Sequence, residues 1–294
     1  MAEAQITPQN SLSLNSKMER PSPSHNGENW RWLHELERPS PNFWALLPRL
    51  GQTPFEIQHM AATSRGTIHL ERLFLNDSGY LLASQPSLNI KESLVDKIYI
   101  CENNEHSGES LEVDFFCRTS RLLLPEPNGE ALKLLTTLFG WEMKPEDDAL
   151  FSHRKLVAPP ICRCCQGATS LRRENAPRNP LVSILRDLIA ANATIAFSVV
   201  TPGMQMVVNH RPHQVFVDSG SIISRSEEDE FIIDAGRIHG LTVNAVRFDN
   251  EDYALLSLLD TFGVTFARVS APLTLVSNSG RTHLASPDGD YEIV

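Results

Sequence analysis

Long apolar runs are missing from this 294-residue chain: no stretch approaches the roughly 18 apolar residues of a membrane span. The first residues, MAEAQITPQNSLSLNSKMERPSPSHNGEN, lack the apolar centre of an export signal, so a soluble, cytoplasmic protein is expected. Positive charge is scarce as well. With 26 Lys plus Arg against 36 Asp plus Glu, the formal charge is -10, which disfavours nucleic acid or an anionic membrane as partner but leaves room for a local basic patch. Cysteine is sparse: five residues, three of them inside ICRCCQ, do not make the disulfide framework of a small secreted domain. The common catalytic motifs do not occur. GRIHG and GSIIS lack the spacing and the lysine of a phosphate-cradling loop, and there is no His-Glu-x-x-His or Gly-x-Ser-x-Gly. Asp147-Asp148 and Glu227-Glu228-Asp229 sit in polar runs and read as solvated loop charges, with a transient cation site in SEEDE as the alternative.

What is present is 41% hydrophobic, enough for a sizeable core in one large domain or two of about 130 residues. Residues 1–28, rich in Ser, Pro, Asn and Gln, bury too little apolar surface to offset ordering and read as a flexible tail. A first helix-plus-sheet half follows at 29–145. WRWLHELE and NFWALLPRLG open it as short amphipathic helices, the second with Asn42 as cap and Gly51 as stop. FEIQHMAA, GTIHLERLFLN, GYLLASQ, LVDKIYICE and SLEVDFFCRTSRLLL then alternate in strand fashion between turn formers, and NGEALKLLTTLFG places Leu132, Leu135 and Phe139 on one helical stripe. A basic, Cys-containing connector spans 146–178. The second half, 179–270, has PLVSILRDLIAANA as a helix, then strands in TIAFSVV, GMQMVVNH, HQVFVDSGSI, EFIIDA and HGLTVNAVRF, then YALLSLLDTFG as a helix. An extension covers 271–294.

The two halves invite comparison. SLEVDFFC with its later LLTTLFG matches GLTVNAVR with its later SLLDTFG, each running from alternating strand through an acidic linker to a Leu-rich helix ending in Phe-Gly. The expected fold class is therefore α+β, a tandem repeat of two similar domains, each a mainly antiparallel sheet with packed helices. Chance likeness between two strand-helix transitions is the alternative. Between the halves lie His153, Arg154, Lys155, Arg163, Arg172, Arg173 and Arg178, a basic group in an acidic chain. Such a seam would suit a carboxylate or phosphate ligand, and a solvated linker is the blander reading.

From Pro180 to Phe262 the chain resembles the C-terminal half of the bacterial hemin-transport and hemin-degrading proteins. In ATIAFSVVTPGMQMVVNH, Thr201-Pro202-Gly203 matches the family's turn and Gln205 its strand glutamine. NFWALLPRLGQTPFEIQHMAA is similar to the family's opening, without its Thr-Arg-Asn triplet, and SLEVDFFCRTSRLLLPEPNGEALKLLTTLF to a later strand and helix. The resemblance implies two stacked sheet-and-helix halves and a haem cofactor held by an imidazole from mid-chain and by arginines on the propionates. It also implies a role in haem carriage or storage, or reductant-dependent haem degradation, which leaves open whether this chain is an enzyme.

Haem needs an imidazole or thiolate for iron, an apolar slot and cations for its propionates. By the resemblance, His153 in DDALFSHRKL is the candidate iron ligand, without the family's following aromatic pair, and Arg154, Arg172 and Arg173 are the propionate partners. His210, near the family's strand histidine, is a further cofactor candidate. With His213 across Pro212 it also reads as a surface imidazole of a hairpin turn. His59 and His69 read as half-buried sheet residues, and Met60, Met204 and Met206 as core. Cys162, Cys164 and Cys165 lack the paired knuckles of a structural zinc site, so zinc is not expected, while a thiolate on haem iron is a minor alternative. The expected partner is haem or another anionic planar molecule. A decayed relative acting as a regulatory or protein-interaction module is the rival.

Overall fold

The computed structural model describes residues 31–276 except 38, 40, 60, 85, 104–108, 126, 140, 146–154 and 158–162. Nine strands precede the first long helix: β1 (Arg31–Glu37), β2 (Gln52–His59), β3 (Ala62–His69), β4 (Phe74–Leu75), β5 (Tyr80–Ser84), β6 (Ser87–Lys91), β7 (Val95–Asn103), β8 (Glu109–Phe115) and β9 (Ser120–Pro125). A short helix, α1 (Pro41–Leu46), lies between β1 and β2. Helix α2 (Gly129–Leu138), strand β10 (Glu142–Pro145) and helices α3 (Arg163–Glu174) and α4 (Pro180–Ala190) come next. The remaining strands are β11 (Ile195–Thr201), β12 (Met204–His210), β13 (Gln214–Asp218), β14 (Ser221–Arg225), β15 (Glu230–Asp234), β16 (Gly240–Phe248), β17 (Glu251–Leu259) and β18 (Thr265–Pro272). No described helix is long and apolar enough to cross a membrane.

All pairings are antiparallel, and the strands form two sheets. The ten-stranded sheet runs β10-β1-β7-β8-β9-β2-β3-β15-β14-β13, and the eight-stranded sheet runs β16-β17-β18-β11-β12-β6-β5-β4. One order recurs in both: β7-β8-β9-β2-β3 has its counterpart in β16-β17-β18-β11-β12, and each run is completed by three strands from the other half of the chain. The exchange ties the halves together through β3 on β15 and β6 on β12. The α+β class, with antiparallel sheets and helices packed on them, is what the strand alternation and the helix stripes indicate.

Two segments read as helices are strands. WRWLHELE is β1, whose residues pair one by one with β7 from Arg31↔Asn103 to Glu37↔Lys97. YALLSLL lies in β17, held on both sides by β16 and β18. A short apolar run fits a buried strand as well as a buried helix, and here the neighbouring strands decide. The matched pair SLEVDFFC and GLTVNAVR therefore shifts: β16 occupies the position of β7, and β17 that of β8.

Helix ends follow their capping chemistry. The Asn128 side chain accepts from the Glu130 and Ala131 amides at 3.1 Å to start α2, and Asn179 accepts from the Leu181 amide at 3.0 Å to start α4, with Pro180 in the first turn. Leu132 and Leu135 of α2, and Leu181, Ile184, Leu185 and Leu188 of α4, enter one apolar core shared by both halves. Phe43 of α1 meets Trp44, Phe139 and Trp141 edge-on at 5.2–6.1 Å, which fixes α1 to the segment after α2. The Trp44 indole N–H donates to Glu92 at 3.0 Å.

Candidate functional site

Among the described residues, polar and charged side chains gather where α3, the end of β2, the turn after β15 and the β17–β18 turn meet. Helix α3 brings Arg172 and Arg173 in its last turn. Asp234, at the end of β15, uses one carboxylate oxygen to accept the Gly236 amide at 2.9 Å, shaping the turn. Arg173 grips that carboxylate with both prongs of its fork, at 2.9 and 2.6 Å, and the bond holds its pKa above the ordinary arginine value. The contact is close: a Cβ on Gly220, whose φ is +80°, would lie 2.5 Å from the Arg173 Cβ. Ser219 and Gly220 both take positive φ, as a two-residue β13–β14 turn requires.

Arg172 is 6% exposed and points inward. Its Nε donates to the Gly236 carbonyl at 3.1 Å and its Nη2 lies 2.7 Å from His239 Nε2. Guanidinium cannot accept, so His239 Nε2 must be the acceptor and the ring proton sits on Nδ1; the Thr261 hydroxyl lies against the ring edge, 3.1 Å from Nε2 and 3.3 Å from Nδ1. Burial, then the Arg172 charge, keeps the His239 pKa low, with Asp260 opposing and Arg237 adding to the depression.

Deeper in the same group, His59 is 8% exposed and its ring stacks on Phe266, centroids 6.3 Å apart. Its pKa is lowered from 6.5 to about 4, chiefly by burial; Asp260 pulls it up and Arg237 pushes it down. His59 Nδ1, Arg237 Nε and Arg268 Nε are buried with no hydrogen-bond partner. The Asp260 carboxylate is itself engaged by the Phe262 and Val264 amides at 2.8 and 2.9 Å.

His210 belongs to a separate network. It is fully buried on β12, with Nδ1 on the Asp229 carboxylate and Nε2 2.8 Å from the Ser224 hydroxyl, and Phe231 meets its ring edge-on at 4.7 Å. The order Ser-His-Asp has the connectivity of a nucleophilic triad. Ser224 is only 2% exposed, however, and its strand is paired on both sides, opposite Val215 and Phe231, so its backbone amides belong to the sheet and not to an oxyanion hole. The three side chains act as a polar lock between β12 in one sheet and β14–β15 in the other. The surface-turn reading of His210 is thereby corrected: its place at the end of β12 turns the imidazole into the core.

A cleft of about 720 Å³ opens where β3 and β6 face β12, lined by Phe55, His69, Val207, Glu227, Glu228 and Asp229 among others. Its three carboxylates make it unwelcoming to an anion. His69 is turned to Glu71 at 2.9 Å. Of the residues singled out in the sequence, Arg172 and Arg173 come together on α3, and His210 does not join them. His153, Arg154 and Cys162 lie outside the described residues. No three His, Cys, Asp or Glu side chains are grouped to hold a metal ion among the described residues. Arg237, Arg268 and His239 carry no signal of their own in the sequence; only the register shows Arg268 of an apolar strand opposite Ser257, without a carboxylate.

The architecture is that of solved haem proteins. The chain is similar to PhuS, a haem-binding protein from Pseudomonas aeruginosa, with a TM-score of 0.59 and 10% identity over 81% of each chain. It is similar to the haem-degrading enzyme ChuS of Escherichia coli O157:H7, with a TM-score of 0.62 and 10% identity over 87% of each chain. A further structure of ChuS, an E. coli haem oxygenase, gives 0.61 and 12% over 87% of this chain and 89% of that one. No family model matches the chain, and no curated protein is a significant match in sequence. Likeness at this identity establishes a shared fold.

Proposed function

We propose that this protein binds haem in the cytoplasm and carries or stores it. The reading rests chiefly on one observation: over 81–87% of its length the chain follows a fold whose solved examples are named for binding or degrading haem. The Thr201-Pro202-Gly203 segment, on which the resemblance is drawn, joins β11 to β12. His153 is proposed as the iron ligand, with Arg154, Arg172 and Arg173 toward the propionates. Arg173 keeps part of its guanidinium in solvent, and its side chain is 46% exposed, which suits a propionate contact alongside Asp234. His210 fits poorly as it stands, because both ring nitrogens are engaged. The acidic cleft beside β12 fits poorly too, since its carboxylates would repel propionates. When bound, haem would supply the redox and ligand chemistry. The chain's own part is to ligate iron through a neutral imidazole, neutralise two carboxylates and keep the macrocycle from water.

Titration of the full chain with haem tests this. A saturable Soret band is expected, shifted or lost in His153→Ala and kept in His210→Gln. No saturable spectral change would overturn the reading. A reductant-supplied assay for loss of the macrocycle separates carriage from the degradation named for ChuS.

A second reading is favoured by the partners already held by Arg172, Arg173 and His210: a relative that keeps the fold without the cofactor and serves as a regulatory or protein-interaction module. It predicts a colourless protein that stays colourless with excess haem.

A further inference from the structure

We propose that the group formed by Arg237, His59 and His239, with Thr261 at its rim, is a receptor for a small oxyanion, a phosphate-type or carboxylate group, which meets the haem reading above only at Arg172. Arginine is charged at any physiological pH, and a buried guanidinium nitrogen without an acceptor is costly. Arg237 Nε is one such atom. His59 adds an unbonded Nδ1 at the floor of the group, and Phe266 backs its ring. Arg172, from α3, fixes the His239 tautomer with the ring proton on Nδ1, and Thr261, exposed, lies against the ring edge.

The charges that face His59 are Arg237 from the turn after β15 and Asp260 from the β17–β18 turn. Asp260 is the carboxylate that acts on both histidines, and its Oδ1 is committed to its own turn. An entering oxyanion would accept from Arg237 and from His59 Nδ1–H. Its negative charge would draw a second proton onto His59, so that binding and proton uptake are coupled.

The test follows the His59 and His239 ring signals of the full chain by NMR while sulfate, a dianion throughout the range, or acetate is added at constant ionic strength with chloride as control. Saturable shifts of both rings are expected with one of the two probes, which identifies the phosphate-type or the carboxylate class. Affinity should rise severalfold from pH 7 to pH 5 and fall at least tenfold in Arg237→Gln. Because that variant could fold poorly, His59→Phe, which keeps the ring stacked on Phe266, serves as a second one: it should weaken binding and remove its pH dependence, read at the His239 ring. Ring signals that respond to neither probe, or equally to chloride, would overturn the proposal.

Discussion

Corresponding strands of the two sheets each carry an arginine and treat it differently. In the first half Arg121 of β9 stands opposite Asp114 of β8, and in the second Arg268 of β18 stands opposite Ser257 of β17. Asp114 is fully buried and takes Arg121 on both oxygens, at 2.5 and 3.1 Å, while Glu112 adds a contact at 3.1 Å. Arg268 has no ion pair among the described residues, and its Nε is unbonded. At these strands the first half sets carboxylates beside its arginine, whereas the second sets hydroxyls there. The sheet edges differ in parallel. Strand β7 is covered by β1 and then β10, while β16 ends its sheet and leaves Val246 and Phe248 exposed. A duplicated order thus does not impose duplicated chemistry: backbone pairing fixes where the strands go, and the side chains opposite each other decide which half is self-sufficient.

The largest effect should come from opening the closed half. Asp114→Ala leaves Arg121 buried with its main partner gone and is expected to lower stability by about 3–5 kcal/mol in urea unfolding. The converse change, Ser257→Asp, should hold or raise the melting temperature by giving Arg268 the partner that Arg121 has. A drop as large as that of Asp114→Ala would erase the contrast between the halves.

Next comes acid sensitivity, which His59 of the first half, set against Arg237 and Asp260 of the second, should carry. His59 titrates at about 4 in the folded protein and at 6.5 when unfolded, so between those values the unfolded chain takes up a proton that the folded one refuses. Stability should therefore fall as pH drops from 6.5 to 4, by about 3 kcal/mol in all. His59→Phe, which keeps the stack on Phe266, should flatten that decline in denaturation curves taken at each pH.

The smallest effect concerns features the halves share. Asn128→Ala and Asn179→Ala each remove a helix cap and should cost about 1 kcal/mol apiece, measured by thermal unfolding. Unequal losses would show that the helices are anchored differently.

Much of the fold was legible in the sequence because each strand carries its own alternation and each turn its own residues. The helices α2 and α4 announced themselves through Leu stripes. Strand β1 was not legible, since WRWLHELE has a spacing that serves either structure and only the seven-residue pairing with β7 settles it. Nor was the exchange of β4–β6 and β13–β15 between sheets, because no local signal encodes which distant edge a hairpin joins. The charged group was hidden for the same reason. Arg268 in FARVSAP looks like any half-exposed strand residue until register sets Ser198 and Ser257 beside it. His59 reads as a sheet residue, which it is, and nothing nearby in sequence foretells Arg237 or Asp260 as its neighbours. Arg172 and Arg173 were visible as cations but not as the clamp that seats α3 on the Asp234 turn.

The contrast between the closed Asp114–Arg121 pair and the unpartnered His59–Arg237 group is tested most directly by titrating His59, by NMR of the imidazole, with and without saturating oxyanion. The account predicts a midpoint near 4 in the free protein and a clear upward move when the anion is bound. A midpoint already near 6.5 in the free protein, unmoved by anion, would contradict it.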